Sequence, residues 1–120
     1  MNHVNHTVFL RWMENARMHY FNSCGMMDYL ESEKKGPILA RIEANYLFPV
    51  NFPDKVSVSC TISRIGNTSF DMEYEITTLS NTQKVAEGKV IGVFVNYKNG
   101  KSEKIPQEII SKIINLETRD

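Results

Sequence analysis

The segment Asn2–Arg17, which reads NHVNHTVFLRWMENAR, contains the most informative pattern of this 120-residue chain. From about His6 to about Cys24, apolar residues recur at helical spacing. The apolar residues on one face of this helix are Phe9, Met13, Ala16 and Tyr20. Further apolar residues occupy the other sides, so the pattern predicts a largely enclosed helix about 25 Å long. Gly25 is well placed to end it.

Three later segments, about 38–48, 56–62 and 70–76, alternate apolar and polar residues with the period of two that is typical of β-strands. A fourth and longer strand is predicted over 85–97. Gly88 and Gly92 interrupt the last segment and predict bends or bulges there. A stripe of isoleucines over 106–116 predicts a short amphipathic helix with Pro106 at its first position. This order of elements is typical of an α+β fold.

The length and composition predict one domain that covers residues 1–120. Fourteen basic and fourteen acidic residues balance, so no bulk attraction to nucleic acid or to an anionic membrane is expected. No run of apolar residues is long enough to span a bilayer, and the first residues do not have the pattern of a secretory signal. We therefore expect a cytoplasmic protein without nucleic-acid or membrane partners.

The apolar face of the predicted sheet needs a partner, and the first helix is the predicted element that is long and apolar enough to cover it. We therefore expect the sheet to wrap around this helix. Four strands leave two exposed edges, and unpaired edges favour association with another chain. The sequence thus predicts a homodimer whose sheets join edge to edge.

Polar residues are concentrated at the start of the first helix, where His3, Asn5 and His6 lie within four consecutive positions of the chain. Free backbone N–H groups and the helix dipole can stabilise a developing oxyanion at such a position. The simpler alternative is that these side chains cap the helix or organise the loop before it.

Several short motifs follow one another in the order seen in a known family. His3–His6 followed by Glu14–Arg17 is similar to a G-H-V-N-N segment that leads into a helix with E-x-A-R. Tyr46–Pro49 is similar to a Y-x-x-P stretch, and Arg64–Ser69 to an R-x-G-x-x-S turn. Together these motifs resemble the hotdog-fold thioesterases, in particular the 4-hydroxybenzoyl-CoA thioesterase-like group that includes short-chain acyl-CoA thioesterases.

The resemblance implies a hotdog fold, with an antiparallel sheet wrapped around a long central helix, and hydrolysis of an acyl-CoA to a free acid and CoA without a cofactor. It also implies a homodimer or a dimer of dimers. Family members begin with an additional strand and an aspartate that acts as general base or nucleophile, and this aspartate would fall just before Met1. We therefore hypothesise that the natural protein starts upstream and that the chain as given, without this first strand, is impaired.

The resemblance also suggests roles for individual residues. The helix-start amides near His6 would polarise the thioester carbonyl, His6 would line the site, and His3 and Asn5 would orient the segment or contact substrate. Glu14 could supply the base in place of the upstream aspartate, although an ion pair with Arg17 at i+3 is the simpler interpretation.

Two groups of residues are candidates for substrate binding. The first group is expected mainly to form the core, and its role in lining an acyl pocket is the second interpretation; it comprises Phe9, Trp12, Met13 and Tyr46. Arg64, Thr68 and Ser69 lie on a turn where relatives hold the CoA nucleotide. The three histidines lack the spacing of a metal site, so no metal is expected.

Two other functions remain open at this point. One is a catalytically silent hotdog protein that binds acyl-CoA or acyl carrier protein. The other is a dehydratase of the same fold, which would need a histidine on or near the central helix paired with a carboxylate. No such pair is evident in the sequence.

Overall fold

The computed structural model of the protein describes residues 6–50 and 55–118, and for His6 it describes the backbone alone. The helices are α1 (His6–Ser23), α2 (Met26–Glu33) and α3 (Gln107–Glu117). The strands are β1 (Lys35–Tyr46), β2 (Val56–Ile65), β3 (Ser69–Thr78), β4 (Lys84–Asn96) and β5 (Lys101–Ser102).

The strands form one antiparallel sheet in the order β1-β4-β3-β2, and the short β5 pairs with the end of β4. One face of this sheet packs against α1, whose apolar side chains join those of β3 and β4 in a single core. The buried residues of α1 are Phe9, Met13, Tyr20 and Phe21. The predicted α+β fold, with an antiparallel sheet around a long helix, is confirmed.

Helix α1 has the predicted extent and ends at Ser23. Gly25 follows as predicted, and its φ of 86° lies in the left-handed region that favours glycine. Helix α2 follows at once, and the sequence patterns do not predict it. Its sequence gives only a short, charged pattern, and it is held by tertiary packing instead. Met26 is fully buried, and the ring of Tyr29 packs on Phe94 with a centroid distance of 6.2 Å.

Strand β1 carries an irregularity that its sequence does not show. Leu39 pairs with Gly92 and Arg41 with Ile91, so Ala40 is left out of the register. As a result, Leu39 packs against the core whereas the side chain of Ile38 is exposed. The predicted unbroken alternation along this strand is therefore wrong at Ala40.

The glycines of β4 are regular positions in its pairing with β3, which runs without a shift from Phe70 opposite Gly92 to Tyr74 opposite Gly88. The prediction of bulges at Gly88 and Gly92 is therefore wrong, because the extra residue beside Gly92 is Ala40 of β1 and the register shift between β3 and β4 falls at Val85. Both glycines instead make space for neighbouring side chains. A Cβ atom at Gly92 would lie 2.2 Å from Phe70 Cζ, and one at Gly88 would lie 3.0 Å from Met13 Sδ.

Helix α3 begins one residue later than predicted, because Pro106 is its N-cap and has an extended ψ of 141°. Ile109 and Ile113 bury its apolar side in the core. At its end, Glu117 Oε2 accepts hydrogen bonds from the Tyr20 hydroxyl and from the backbone N–H of Ile62, the latter at 3.0 Å. The helix therefore satisfies one donor on the outer edge of β2.

Within residues 6–50 and 55–118, no helix combines the length and the apolar character needed to cross a membrane.

Candidate active site

A cavity of about 560 Å³ lies between α1 and the β1 side of the sheet. Helix α1 contributes Leu10, Met13, Glu14 and Arg17 to its lining, and β1 contributes Ile42, Glu43, Ala44 and Tyr46. Tyr74 of β3 and Val90 of β4 complete the lining. This volume is within the range of pockets that bind small molecules and cofactors.

Local sequence explains why these side chains converge. On α1, the lining residues are spaced at i, i+3, i+4 and i+7 from Leu10, so they share one helical face. On β1, Ile42, Ala44 and Tyr46 alternate along the strand after the irregularity at Ala40. Because Gly88 has no side chain beneath Met13, α1 can lie close to the sheet at this point.

The lining is mainly apolar, and its buried polar part is formed by Arg17 and Tyr74. The Arg17 side chain is only 11% exposed, and its Nη1 donates a hydrogen bond of 3.1 Å to the Tyr74 hydroxyl oxygen. Burial raises the pKa of Tyr74 to about 12, although Arg17 acts in the opposite direction. Tyr74 is therefore a neutral phenol near pH 7, and its own proton is directed to Met72 Sδ at 3.3 Å.

Glu14 provides a carboxylate on the same cavity. Its Oε2 lies 4.0 Å from Arg17 Nη2, which is the outer limit of an ion pair, and its side chain is 64% exposed. The predicted i+3 pair with Arg17 is thus present in a loose form. This geometry leaves the carboxylate accessible to water and to a ligand in the cavity.

Three aromatic rings form a cluster at one end of the cavity, and of these only Tyr46 lines it. Phe9 is buried and makes edge-to-face contacts with Trp12 and with Tyr46, each with a centroid distance of 5.3 Å. Of the four predicted acyl-pocket residues, Met13 and Tyr46 line this cavity. Phe9 contacts the Tyr46 ring without lining the cavity, and Trp12 lines a different cavity. That any of them binds substrate stays a prediction.

This second cavity, of about 900 Å³, lies between α1, β2 and α3. Its lining includes Trp12, His19, Cys60 and Glu117. Burial raises the pKa of the Cys60 thiol to about 12, so this sulfur is protonated and is a poor nucleophile near pH 7. We therefore take the cavity beside β1, with its buried guanidinium and accessible carboxylate, as the candidate active site.

The turn between β2 and β3 is not part of this cavity. Arg64 Nη2 donates to Ser69 Oγ at 3.1 Å and to Asp71 Oδ1 at 2.9 Å, and this pairing lowers the pKa of Asp71. The carbonyl of Thr68 accepts the N–H of Phe94 at 2.8 Å. These contacts stabilise the turn, and the binding of the CoA nucleotide by Arg64, Thr68 and Ser69 stays a prediction.

Three of the predicted site residues belong to the start of the chain. His3 and Asn5 lie outside the described residues, and His6 is the first residue of α1. The roles assigned to these three residues therefore stay predictions. Sequence reasoning missed Tyr74 and gave Arg17 only an ion-pair role. The available signal was the spacing of Arg17 from Leu10 and Met13, which puts it on the cavity face.

Comparison with known proteins agrees with this architecture. A family model for the thioesterase-like superfamily matches residues 1–113. The chain belongs to this superfamily. A thioesterase from Thermus thermophilus, solved with coenzyme A and Zn, is 32% identical, with a TM-score of 0.83 over 99% of this chain and 84% of that one.

Two further solved structures extend the comparison. A predicted thioesterase from Bacillus stearothermophilus is 29% identical over 95% of this chain and 83% of its own, with a TM-score of 0.83. A 1,4-dihydroxy-2-naphthoyl-CoA thioesterase from Synechocystis matches at a TM-score of 0.85, over 98% of this chain and 88% of its own. At 19% identity, the latter supports the fold alone. The family, the hotdog fold and the general class of thioester hydrolase are thereby established for this superfamily member.

Proposed function

We propose that this protein is an acyl-CoA thioesterase that binds the acyl group in the cavity between α1 and β1. The observation that carries the proposal is that one apolar cavity beside the central helix contains an accessible carboxylate, Glu14, and a buried polar pair, Arg17 and Tyr74. The relative from Thermus thermophilus was solved with coenzyme A, which supports a CoA ester as the substrate class.

In the proposed reaction, the thioester carbonyl lies near the start of α1, where backbone N–H groups stabilise the oxyanion. A carboxylate removes a proton from a water molecule as its oxygen attacks the carbonyl carbon. The C–S bond then breaks, the CoA sulfur takes up the proton, and a free acid is released. We infer two candidates for the carboxylate, namely Glu14 and the aspartate that the family resemblance implies upstream of His3.

A substitution that fills the cavity tests the proposal. Ala44→Phe adds a ring at a half-buried cavity position, and we expect it to lower kcat/KM for acyl-CoAs at least tenfold, because a displaced acyl group loses its alignment. Ala40→Phe, on the same strand but exposed and outside the cavity lining, is the matched control. Release of free thiol from a panel of acyl-CoAs measures both variants.

Two results would count against this proposal. Equal losses in Ala44→Phe and Ala40→Phe would show that the acyl group does not occupy the cavity. Tight binding of acyl-CoA without any thiol release would favour the alternative function, a silent protein that binds acyl-CoA or acyl carrier protein.

We further propose that two copies of the chain associate along β1, in the cytoplasm. Within the described sheet, the 12-residue strand β1 pairs with β4 alone, so its other edge has no neighbouring strand. Exposed apolar side chains accompany this edge, and they are Ile38, Ile42, Tyr46, Leu47 and Phe48. An exposed apolar surface beside a long open edge is typical of an interaction site.

A charge placed on this surface tests the association. We expect Ile38→Lys to convert a dimer to a monomer, because a buried and unpaired ammonium is costly at an interface. Leu79→Lys is the control, since Leu79 is even more exposed, at 57% against 42% for Ile38, but lies beyond the end of β3. Light scattering coupled to gel filtration gives the mass. A dimer that survives Ile38→Lys would place the interface elsewhere.

A further inference from the structure

We propose that the cavity selects acyl groups that end in a carboxylate, and that Arg17 and Tyr74 bind this distal carboxylate. This inference rests on the proposed acyl-CoA thioesterase function and names a substrate class for it. Monothioesters of a short dicarboxylic acid with CoA, such as glutaryl-CoA, have a free carboxylate at the far end of the acyl group.

The first argument is the charge of Arg17. Its side chain is only 11% exposed, and a guanidinium removed from water in this way needs a compensating anion. The nearest described carboxylate in an ion pair with it is Glu14, which lies at 4.0 Å and is largely in solvent. Tyr74, its hydrogen-bond partner, is uncharged. A ligand carboxylate would complete the compensation that Glu14 provides only loosely.

The second argument is the supply of donors. Arginine has five N–H donors in a rigid fork that matches a carboxylate, and the hydrogen bond to Tyr74 uses Nη1. The Tyr74 proton is directed to the sulfur of Met72, which is a weak acceptor. A carboxylate oxygen would accept this proton better. The two side chains can therefore donate to the same anion.

The third argument is the polarity of the surrounding lining. Leu10, Met13, Ile42 and Val90 are apolar, so the middle of the cavity suits methylene groups. Glu43 also lines the cavity, but its side chain is 48% exposed and its carboxylate is paired with Arg41 Nη2 at 2.5 Å. Among the cavity residues, this leaves Arg17 as the buried cation toward which an anion is drawn.

The fourth argument is length. Side chains on a helix tilt toward its N-terminus, so the Arg17 guanidinium lies nearer to the start of α1 than its own Cα. At about 1.5 Å per residue, the eight residue steps from Phe9 to Arg17 rise about 12 Å, and the tilt of the side chain shortens the distance from the guanidinium to the first-turn amides. A five-carbon dicarboxylic acyl group with a hydrogen bond at each end spans about the same distance.

Glutaryl-CoA and pentanoyl-CoA provide a matched pair of probes. Their acyl groups have the same number of carbon atoms, but one ends in a carboxylate and the other in a methyl group. Because the CoA phosphates are common to both, any preference between the two probes arises from the acyl end. We expect the wild-type protein to prefer glutaryl-CoA at least tenfold, both in kcat/KM and in the Kd measured by calorimetry.

Variants assign the preference to residues. Arg17→Met should abolish or reverse it, Arg17→Lys should retain part of it through its charge, and Tyr74→Phe should weaken it several-fold. Arg11→Met, at an exposed position of α1 outside the cavity lining, should leave it unchanged. Circular dichroism and urea unfolding establish that each variant is folded.

The outcomes separate this inference from the proposed function. Hydrolysis of both probes at similar rates would overturn the carboxylate selection and leave the thioesterase in place. Preferential binding of glutaryl-CoA without hydrolysis would support the selection and count against the enzyme. A preference for glutaryl-CoA that survives in folded Arg17→Met would also overturn the carboxylate selection. If Arg17→Met does not fold, a preference that is unchanged in both Arg17→Lys and Tyr74→Phe would overturn it.

Discussion

Gly92→Ala is expected to destabilise the protein by about 3 kcal/mol, at the upper end of the cost of overpacking a core. A Cβ atom at this position would lie 2.2 Å from Phe70 Cζ and 2.7 Å from both Cε atoms of the ring. The ring cannot simply move away, because Phe70 is fully buried and packs edge to face on Phe21 with a centroid distance of 6.0 Å. Urea unfolding at an unchanged m-value measures the loss.

Two further proteins make this prediction specific. Gly36→Ala is the matched control, because its Cβ would meet Leu30 at an ordinary 3.4 Å, and we expect a change below about 1 kcal/mol. In a Phe70→Leu background, the added methyl group of Gly92→Ala has more space, so the two substitutions should be strongly non-additive. A loss below about 1 kcal/mol for Gly92→Ala alone would contradict the packing described here.

The same glycine shows what sequence patterns can and cannot reveal about this fold. The long helix and the four main strands follow from strong apolar periodicity, which depends on each segment alone. From sequence alone, Gly92 indicates a bend or a bulge, because the sequence does not show which ring will lie across it. That information depends on the register that places Phe70 opposite Gly92, and the register is set by the whole sheet.

The candidate site divides in the same way. Met13, Glu14 and Tyr46 were predicted from the helix pattern and from short motifs, and they line one cavity. Tyr74 lines the same cavity from β3, which is separated from β1 by β4 in the sheet. Local sequence does not show this strand order. Arg17 has helical spacing that directs it inward, but charged residues are mostly solvated, so an exposed ion pair with Glu14 was the simpler expectation.

The identity of the catalytic carboxylate carries the other large expected effect. We expect a protein extended at its N-terminus by its upstream codons, and so containing the aspartate implied by the resemblance, to hydrolyse acyl-CoA at least about 100-fold faster than the 120-residue chain. The physical reason lies in Glu14, whose side chain is 64% exposed and only loosely held by Arg17 at 4.0 Å. A solvated and weakly positioned carboxylate makes an inefficient base.

Glu14→Gln decides between the two candidates when it is introduced into both lengths of protein. If the upstream aspartate is the base, the substitution should change kcat of the extended protein only a few-fold. The control Glu73→Gln should change nothing, because Glu73 lies between the buried Met72 and Tyr74 on β3 and so faces outward. Release of free thiol measures each protein. If the extended protein and the 120-residue chain are equally active, and Glu14→Gln lowers kcat about 100-fold in both, Glu14 is the base. A stop codon directly before Met1 would also rule out the upstream aspartate.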